Sequence, residues 1–288
     1  MKNYLILSIL ALLLFSSFKS DKPAYNLYNK EGKAVRYEKM LKVLEDADIV
    51  LFGELHDNPI SHWLQLEITK DLYQQNGKNL VLGAEMFESD NQVIMDEYLT
   101  GKISQRNFEA EIRLWPNYKT DYKPLVEFAK DSGLYFVATN VPRRYAALVN
   151  KQGFEGLEEL SDEAKAFLPP LPPAYDSTLE CYASMMKMEG MGSHVTPNFP
   201  KAQAIKDATM AHFILKNWEP GKVLLHYHGA YHSQNFESIY WYLKHENPSL
   251  NIVTIHSTMQ KDVSELKEEN TGLADFTICV DEDMTRTR

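Results

Sequence analysis

Short runs of apolar residues recur along the chain, with the length and the β-branched or aromatic content of buried strands. Between several of these runs, apolar residues return at helical spacing instead. The runs that predict strands are residues 48–52, 79–82, 134–138, 222–227, 251–255 and 275–280. The segments that predict helices are residues 60–73, 124–130, 202–215 and 236–244. This alternation predicts an α/β fold, in which helices flank a mostly parallel central sheet.

The alternation stops between about residue 153 and residue 200. The prolines in this stretch are Pro169, Pro170, Pro172 and Pro173, and the methionines after them are Met185, Met186, Met188 and Met191. Because proline interrupts regular elements, we interpret the stretch as a helical insertion. Methionines at this spacing favour core packing, with a binding groove as the alternative. The neighbouring prolines and glycines predict that residues 185–191 are mobile without ligand.

The first residues have the features of a secretory signal. Lys2 precedes an apolar run over residues 4–15, which is shorter than the roughly 20 residues of a membrane helix. We therefore expect residues 1–20 to be a signal peptide, with an uncleaved signal anchor as the alternative. Residues 21–288 are expected to form one α/β domain that is exported to the periplasm or cell envelope. No cysteine is placed to form a lipobox.

Composition narrows the classes of function. The chain is 44% hydrophobic, which is typical of a protein that buries a core. Its formal net charge of -10 excludes nucleic acid as a partner, because a phosphate backbone requires clustered Lys and Arg. The two cysteines, Cys181 and Cys279, are too few for a disulfide scaffold or a cysteine zinc site, and whether they pair is left open.

Ionisable and polar residues follow four of the predicted strands. They are Glu54 and His56 after the first, Glu85 after the second, Asn140 and Arg143 after the third, and His228, Tyr231 and His232 after the fourth. Parallel strands present their carboxyl ends at one edge, so we expect a shared site there. Glu54 and His56 share a face in an extended chain. His228 and His232 share one if a helix begins at that point.

Imidazole and carboxylate groups hold divalent metals or move protons. Each one alone is as readily explained as a helix cap or a hydrogen-bonded structural residue, and only their common edge favours a site. Asp207, on one helix face with Gln203 and Met210, either points at this site or caps a loop. His226 is interpreted as a core residue. No partner is predicted for His62, His194, His212, His245 and His256.

Six segments, in order, resemble the ChaN-like family of iron-regulated, haem-binding proteins, some of which are lipoproteins. They are residues 51–63, 82–92, 115–130, 138–144, 202–214 and 226–233. That family is similar in turn to the Tiki and TraB group, which shares paired G-x-x-H motifs, an intervening glutamate and an arginine. Here the motifs are residues 53–56 and 229–232. The resemblance implies an exported haem-binding protein of the cell envelope, in haem or iron acquisition.

The resemblance also implies which residues act. The superfamily's polar set falls on His56, Glu85, Arg143 and His232, with Glu54 adjacent. The expected haem-binding residues are His56, Arg143, Asp207, Tyr231 and His232. Arg143 suits a propionate, because guanidinium pairs well with carboxylate. The axial ligand is left open among His56, His232, Tyr175, Tyr182 and the methionines.

The alternative is a Tiki-like peptidase that depends on a divalent metal. His56, Glu85 and His232 would hold zinc or manganese, and Glu54 or Glu85 would activate bound water. The catalytic set would then be Glu54, His56, Glu85, Arg143 and His232. Haem and envelope components of haem or iron uptake are the expected partners, and a homodimer and enzymatic activity are both left open.

Overall fold

The computed structural model describes residues 22–187 and 196–287, in which seven strands form one sheet. The strands are β1 (Tyr25–Asn29), β2 (Ile49–Glu54), β3 (Leu80–Glu88), β4 (Tyr135–Asn140), β5 (Val223–Gly229), β6 (Ile252–Gln260) and β7 (Phe276–Asp281). Their order across the sheet is β1-β7-β6-β2-β5-β3-β4. Strand β1 is antiparallel to β7, and the other neighbouring pairs are parallel. The predicted α/β class is confirmed.

Helices cover both faces of the sheet. The longer ones are α1 (Tyr37–Glu45), α2 (Pro59–Asn76), α3 (Gln92–Leu99), α4 (Gln105–Glu111), α5 (Lys123–Ser132), α6 (Arg143–Gln152), α10 (Phe199–Asn217) and α11 (Ile239–Glu246). Three helices of four residues are α7 (Glu155–Glu158), α8 (Asp162–Lys165) and α9 (Glu180–Ala183). The helices predicted over residues 60–73, 124–130, 202–215 and 236–244 correspond to α2, α5, α10 and α11.

The central strands are buried on both faces, which explains their continuous apolar runs. In β2, Val50 and Phe52 join a core with α2 and α5, whereas Ile49 and Leu51 join the core formed with α10 and α11. The sequence placed the ends of β3 and β5 too early, since β3 continues to Glu88 and β5 to Gly229. Glu85 and His228 therefore lie within strands and not after them.

The predicted insertion contains the short helices α7 to α9. Its prolines lie between α8 and α9 in a stretch without regular elements, and the Leu171–Pro172 bond is cis. Met185 is buried beside Cys181 and Tyr182, in line with core packing. Residues 1–20, His194, Met188 and Met191 lie outside the described residues, so the expectation of a mobile 185–191 segment stays a prediction.

Both cysteines are buried and free, in separate clusters. Among the helices of the described residues, none is long and apolar enough to cross a membrane.

Candidate functional site

The candidate site lies where β2, β5 and β3 run side by side at the centre of the sheet. The parallel register sets Glu54 of β2 opposite Gly229 of β5. Glu85 of β3 reaches the same place, because one of its carboxylate oxygens accepts a hydrogen bond of 2.8 Å from the backbone N–H of Gly229. Two buried glutamates thus flank one strand end.

His56 pairs with Glu54. Its Nδ1 lies 2.8 Å from Oε1 of Glu54, and the same oxygen accepts a hydrogen bond of 2.7 Å from the hydroxyl of Tyr122. The other oxygen accepts a hydrogen bond from the side-chain amide of Gln65. Burial alone would raise the pKa of Glu54, but His56, His62 and Tyr122 outweigh it and lower the pKa. Burial would likewise lower the pKa of His56, and Glu54 and Glu85 raise it instead.

His232 forms a matching pair with Asp207. Its Nδ1 lies 2.5 Å from Oδ1 of Asp207, whose other oxygen accepts a hydrogen bond of 2.7 Å from the hydroxyl of Tyr182. Its Nε2 lies 3.4 Å from Oε1 of Glu85. Burial alone would lower the pKa of His232, but the charges of Glu85 and Asp207 outweigh it and raise the pKa to about 10. His232 is therefore a cation at neutral pH.

Glu85 lies between the two imidazole rings. Burial alone would raise its pKa, but His232, His56 and the N–H of Gly229 together hold the pKa well below its ordinary value. A Cβ at Gly229 would lie 2.6 Å from Nε2 of His56 and 3.6 Å from Oε2 of Glu85. The ring of His56 therefore packs directly on Gly229, and only glycine leaves room for this approach. Two carboxylate–imidazole pairs converge on one carboxylate.

A second layer of polar residues holds the loop that carries His56. The Nε2 of His62 donates to the backbone carbonyl of His56 at 3.1 Å, and its Nδ1 lies 3.1 Å from Oε1 of Gln65. Asn117 donates to the same carbonyl of His56 at 2.7 Å and to Asp121 at 2.6 Å. The ring of Trp115 packs edge-on against His56, with the ring centroids 4.9 Å apart.

His226 and His228 lie beneath the site in β5 and are fully buried. His226 joins Thr139 at 2.7 Å and His228 at 3.0 Å. Burial lowers the pKa of His228 to about 3 and also lowers the pKa of His226, so both rings are neutral. The expectation that His226 is a core residue is met. No helix begins at His228, because β5 continues to Gly229 and a single 3-10 turn follows at Ala230–His232.

Arg143 is one predicted site residue that the structure places apart from the polar set. It is the exposed first residue of α6, where its backbone N–H donates to Glu88 at 3.1 Å. Among the described residues, its side chain makes no hydrogen bond or ion pair with the buried set. The turn after β4 ends at the protein surface. A position directly after a strand therefore does not by itself place the side chain of Arg143 in the site.

The tyrosines and methionines considered as ligands lie to one side, against α9. The hydroxyl of Tyr231 donates to the backbone carbonyl of Cys181, and the ring of Tyr175 lies 5.6 Å from that of Tyr182. Burial and the charge of Asp207 raise the pKa of Tyr182 well above its ordinary value. Met186 is 52% exposed, unlike the buried Met185. The hydroxyl of Tyr182 is thus engaged in its hydrogen bond to Asp207.

Sequence reasoning found Glu54, His56, Glu85, Asp207 and His232 but missed the residues that hold them. His62 and Gln65 could have been found, because they lie one turn apart on α2, directly after the first motif. Tyr122, Asn117 and Asp121 belong to an irregular segment before α5, including a π-helical turn, and no periodic pattern marks it.

A metal site formed by His56, Glu85 and His232 was the alternative expectation. Within residues 22–187 and 196–287, no three His, Cys, Asp or Glu side chains are grouped so that they could hold a metal ion. Nε2 of His232 lies 3.4 Å from Oε1 of Glu85, and the ring of His56 packs on Gly229. The residues as arranged do not fit a metal.

Comparisons with known proteins point to one family. A family profile described as haem-binding uptake, Tiki superfamily, ChaN, matches residues 40–243. ChaN of Campylobacter jejuni, solved with cofacial haem, has a similar fold with a TM-score of 0.65 at 19% identity, covering 88% of this chain and 96% of that one. A Bacillus cereus protein reaches a TM-score of 0.52 at 11% identity, covering 89% and 94%.

A curated relative is the protein RETICULATA-RELATED 5, chloroplastic, of Arabidopsis thaliana. It is 26% identical over 201 residues, which cover 65% of this chain but 26% of that protein. The matched segment therefore spans about a quarter of the plant protein's length.

Proposed function

Because the chain belongs to the ChaN family of haem-binding uptake proteins in the Tiki superfamily, we propose that it is an exported haem-binding protein that acts in haem or iron acquisition. The observation that carries this proposal is the family match over residues 40–243, which includes every member of the polar site. The α/β fold is common to ChaN of Campylobacter jejuni, a protein that was solved with cofacial haem.

Haem needs an apolar surface for its ring and, for its iron, a side-chain donor atom with a free lone pair. At His232, the two neighbouring carboxylates favour the protonated ring, so a proton competes with iron for its nitrogen. The positive charge of this ring balances Glu85 and Asp207. His56, Tyr175 and the methionines stay candidates for the axial ligand, and Arg143, exposed at the start of α6, is free to reach a propionate.

Export is proposed from the charged and apolar pattern of the first residues. In the native host, mass spectrometry of the envelope fraction should find a chain that begins near residue 21. Recovery of the chain from the cytosol with Met1 in place would contradict export and leave haem binding untouched. Envelope uptake components and a second copy of the chain are the proposed partners.

A hemin titration tests haem binding. We expect a sharpened, shifted Soret band that saturates at a fixed ratio of haem to chain, and elemental analysis of the same sample should find no stoichiometric zinc or manganese. The control is hemin with the heat-unfolded protein, which exposes the same residues without their arrangement. An identical spectrum for folded and unfolded protein would refute the proposal.

Hydrolysis is the second candidate function, and the convergence of two carboxylate–imidazole pairs on Glu85 favours it. Glu54 orients His56 through Nδ1, so Nε2 is left to take a proton from water. The cation His232 would stabilise negative charge that develops on a carbonyl oxygen. Unlike the metal-dependent form of this alternative, the arrangement routes no step through a metal.

Peptide and ester substrates with a fluorogenic leaving group test this second candidate. We expect His56→Ala to reduce turnover by at least about a hundredfold, the usual contribution of a general base. Turnover should persist in a chelator. Equal rates for the wild type and His56→Ala would exclude hydrolysis at this site.

A further inference from the structure

A cavity of about 340 Å³ lies between the C-terminal half of α10, α11 and the proline-containing stretch. No residue of the polar site belongs to its described lining. Its volume is at the lower end of the roughly 300–1,000 Å³ that ligand pockets occupy. The cavity therefore suits a small ligand, and it is separate from the site at the strand ends.

Most of the cavity wall is apolar. The apolar residues of the wall include Pro169, Pro173, Ala208, Ala211, Leu215 and Tyr242. The hydroxyl of Tyr242 donates to the backbone carbonyl of Ala174 at 2.8 Å, so this polar atom is already satisfied. Proline, alanine and leucine side chains have no hydrogen-bonding groups. The body of the ligand should therefore be apolar, and a few polar groups at the edge should fix its orientation.

Glu246 is the charged residue of the described lining. It is exposed and is the last residue of α11. A carboxylate is unfavourable at this end of a helix, because the helix dipole is negative there and favours cations. Among the described residues, the carboxylate of Glu246 has neither an ion pair nor a hydrogen bond. The stability of α11 thus gives no reason for a glutamate at this position, whereas a cationic ligand does.

The helix ends around the cavity add to this negative potential. Helix α10 ends at Asn217, shortly beyond Leu215 of the lining, so the cavity lies beside the C-termini of two helices. Each helix C-terminus carries about half a negative elementary charge. Nearby lysines are held elsewhere. Nζ of Lys244 donates to the backbone carbonyl of Leu250 at 2.6 Å, and Nζ of Lys216 lies 5.4 Å from the ring centre of Phe213.

His212 adds a hydrogen-bond acceptor to the lining. Burial lowers the pKa of His212, and Lys216 lowers it further, although Glu246 opposes both. The ring is therefore neutral at neutral pH, and one of its nitrogens keeps a lone pair. Among the described residues, neither ring nitrogen has a hydrogen-bond partner. Glu246 lies close enough to act on the charge of His212, so one ligand group can meet both side chains.

We propose that this cavity binds a small organic cation, a molecule with an apolar ring or chain and one protonated amine. The apolar part packs against the prolines and Tyr242, and the ammonium group donates to the carboxylate of Glu246 and to His212. A carboxylic acid is disfavoured, because its charge would meet Glu246 and two helix C-termini. The site does not depend on haem binding, so either function can fail without the other.

Three indole probes of similar size test the role of charge at neutral pH: the cation tryptamine, the neutral alcohol tryptophol and the anion indole-3-propionate. In isothermal titration calorimetry, tryptamine should bind one to one and at least about tenfold more tightly than tryptophol, the difference that a charge-assisted hydrogen bond makes. Indole-3-propionate should bind more weakly than tryptophol. Equal affinities for the three probes, or no binding of tryptamine, would overturn the proposal.

Glu246→Gln keeps the shape of the side chain and removes its charge. The affinity for tryptamine should fall to that for tryptophol, whose own affinity should not change. The control is Glu111→Gln, which alters another exposed glutamate at the last position of a helix, α4, outside the cavity. This control should match the wild type. Equal losses in both variants would mean that the net charge of the chain, and not the cavity, attracts tryptamine.

NMR spectra with labelled histidine locate the bound probe. Tryptamine should shift the resonances of His212 and leave those of His56 and His232 unchanged, because the latter two lie in the polar site. Shifts at His56 or His232 without a shift at His212 would place the cation in the polar site and overturn the assignment to the cavity.

Discussion

His232 is held by Asp207 at 2.5 Å and by Glu85 at 3.4 Å, and all three side chains are buried. A buried ion pair is stabilising only when every charge has its partner, and removal of one partner is costly. Here three charged groups form a chain, and the hydroxyl of Tyr182 and the N–H of Gly229 satisfy its ends. The charge of His232 is thus part of the folded structure.

We predict that His232 stays protonated through neutral pH. Because Glu85 and Asp207 raise its pKa to about 10, the imidazole carbon resonances of His232 should not titrate between about pH 6 and pH 8. Asp207→Asn removes one of the raising charges and should lower the midpoint. Two-dimensional NMR with labelled histidine measures both. A wild-type midpoint near the ordinary value of about 6.5 would contradict the assignment.

Stability should depend on pH in the direction that this raised pKa sets. A group whose pKa is higher in the folded state contributes fully below its unfolded pKa, and the contribution is lost as pH rises through the folded value. The free energy of unfolding should therefore fall between about pH 6.5 and pH 10. Urea unfolding across this range checks it. Asp207→Asn should flatten the profile, and a wild type that gains stability there would be inconsistent with a charged His232.

The two glycines of the motifs should respond differently to alanine. A Cβ at Gly53 would lie 2.9 Å from Cα of Ala230 and 3.1 Å from the carbonyl oxygen of Ile255, both backbone atoms. A Cβ at Gly229 would meet a side chain instead, that of His56. We predict that Gly53→Ala lowers the free energy of unfolding by about 1–3 kcal/mol. Gly229→Ala should cost less.

Histidine NMR and urea unfolding on both variants separate these effects. Gly229→Ala should shift the resonances of His56 more than Gly53→Ala does. The Gly229→Ala variant should nevertheless be the more stable of the two variants. Equal losses of unfolding free energy, or unchanged His56 resonances in Gly229→Ala, would contradict the view that glycine is needed at 229 for the close approach of His56.

At the scale of elements, helix α2 begins with a well-formed N-cap and carries residues that hold the side chains of the site. Asn58 is 1% exposed, and its side chain accepts hydrogen bonds from the backbone N–H groups of Ile60 at 3.0 Å and Ser61 at 3.1 Å. Pro59 follows in the first helical turn. This end of the helix fixes where His62 and Gln65 meet Glu54.

We predict that Asn58→Ala costs about 1–2 kcal/mol of unfolding free energy, near the upper end for an N-cap. The control is Ser104→Ala at the exposed start of α4, where the hydroxyl accepts a single hydrogen bond of 3.2 Å from Asn107. Its loss should be smaller, since water replaces an exposed cap. Urea unfolding of both variants tests this. A larger loss of unfolding free energy for Ser104→Ala than for Asn58→Ala would contradict the claim that the buried N-cap contributes more.

The sequence predicted the buried parallel strands well, because their residues are apolar on both faces. Strand β1 was missed. Its segment YNLYN has only five residues, two of them asparagine, and lies at the sheet edge. Helix α10 was predicted, and Asp207 with it, but the cavity beside this helix was not, since the proline-containing stretch and α11 meet it only in the folded chain.

At the scale of the whole molecule, the topology brings distant residues together. Strand β5 inserts between β2 and β3, so the second motif meets the first although about 170 residues of sequence separate them. The sequence was therefore sufficient to predict that His56, Glu85 and His232 lie close together. It did not show that Arg143 lies apart from them, exposed at the start of α6 beyond the turn after β4.

We predict that His56→Ala and His232→Ala are not additive in unfolding free energy, because both rings lie beside the charge of Glu85. The coupling should be about 0.5–3 kcal/mol, the range for residues with a shared partner. Turnover, if the site hydrolyses a substrate, should show the same lack of additivity. The control cycle joins His56→Ala with the remote His245→Ala. Equal additivity in both cycles would mean that the two motifs act independently.

The most direct test of haem binding is circular dichroism in the Soret region, because haem free in solution is not chiral and gains a signal only in a fixed, asymmetric site. On addition of hemin to the purified protein, we predict an induced band that grows to saturation and then stays constant with excess hemin. A signal that never appears, or that rises without saturation as hemin associates with the surface, would contradict a haem-binding function for this chain.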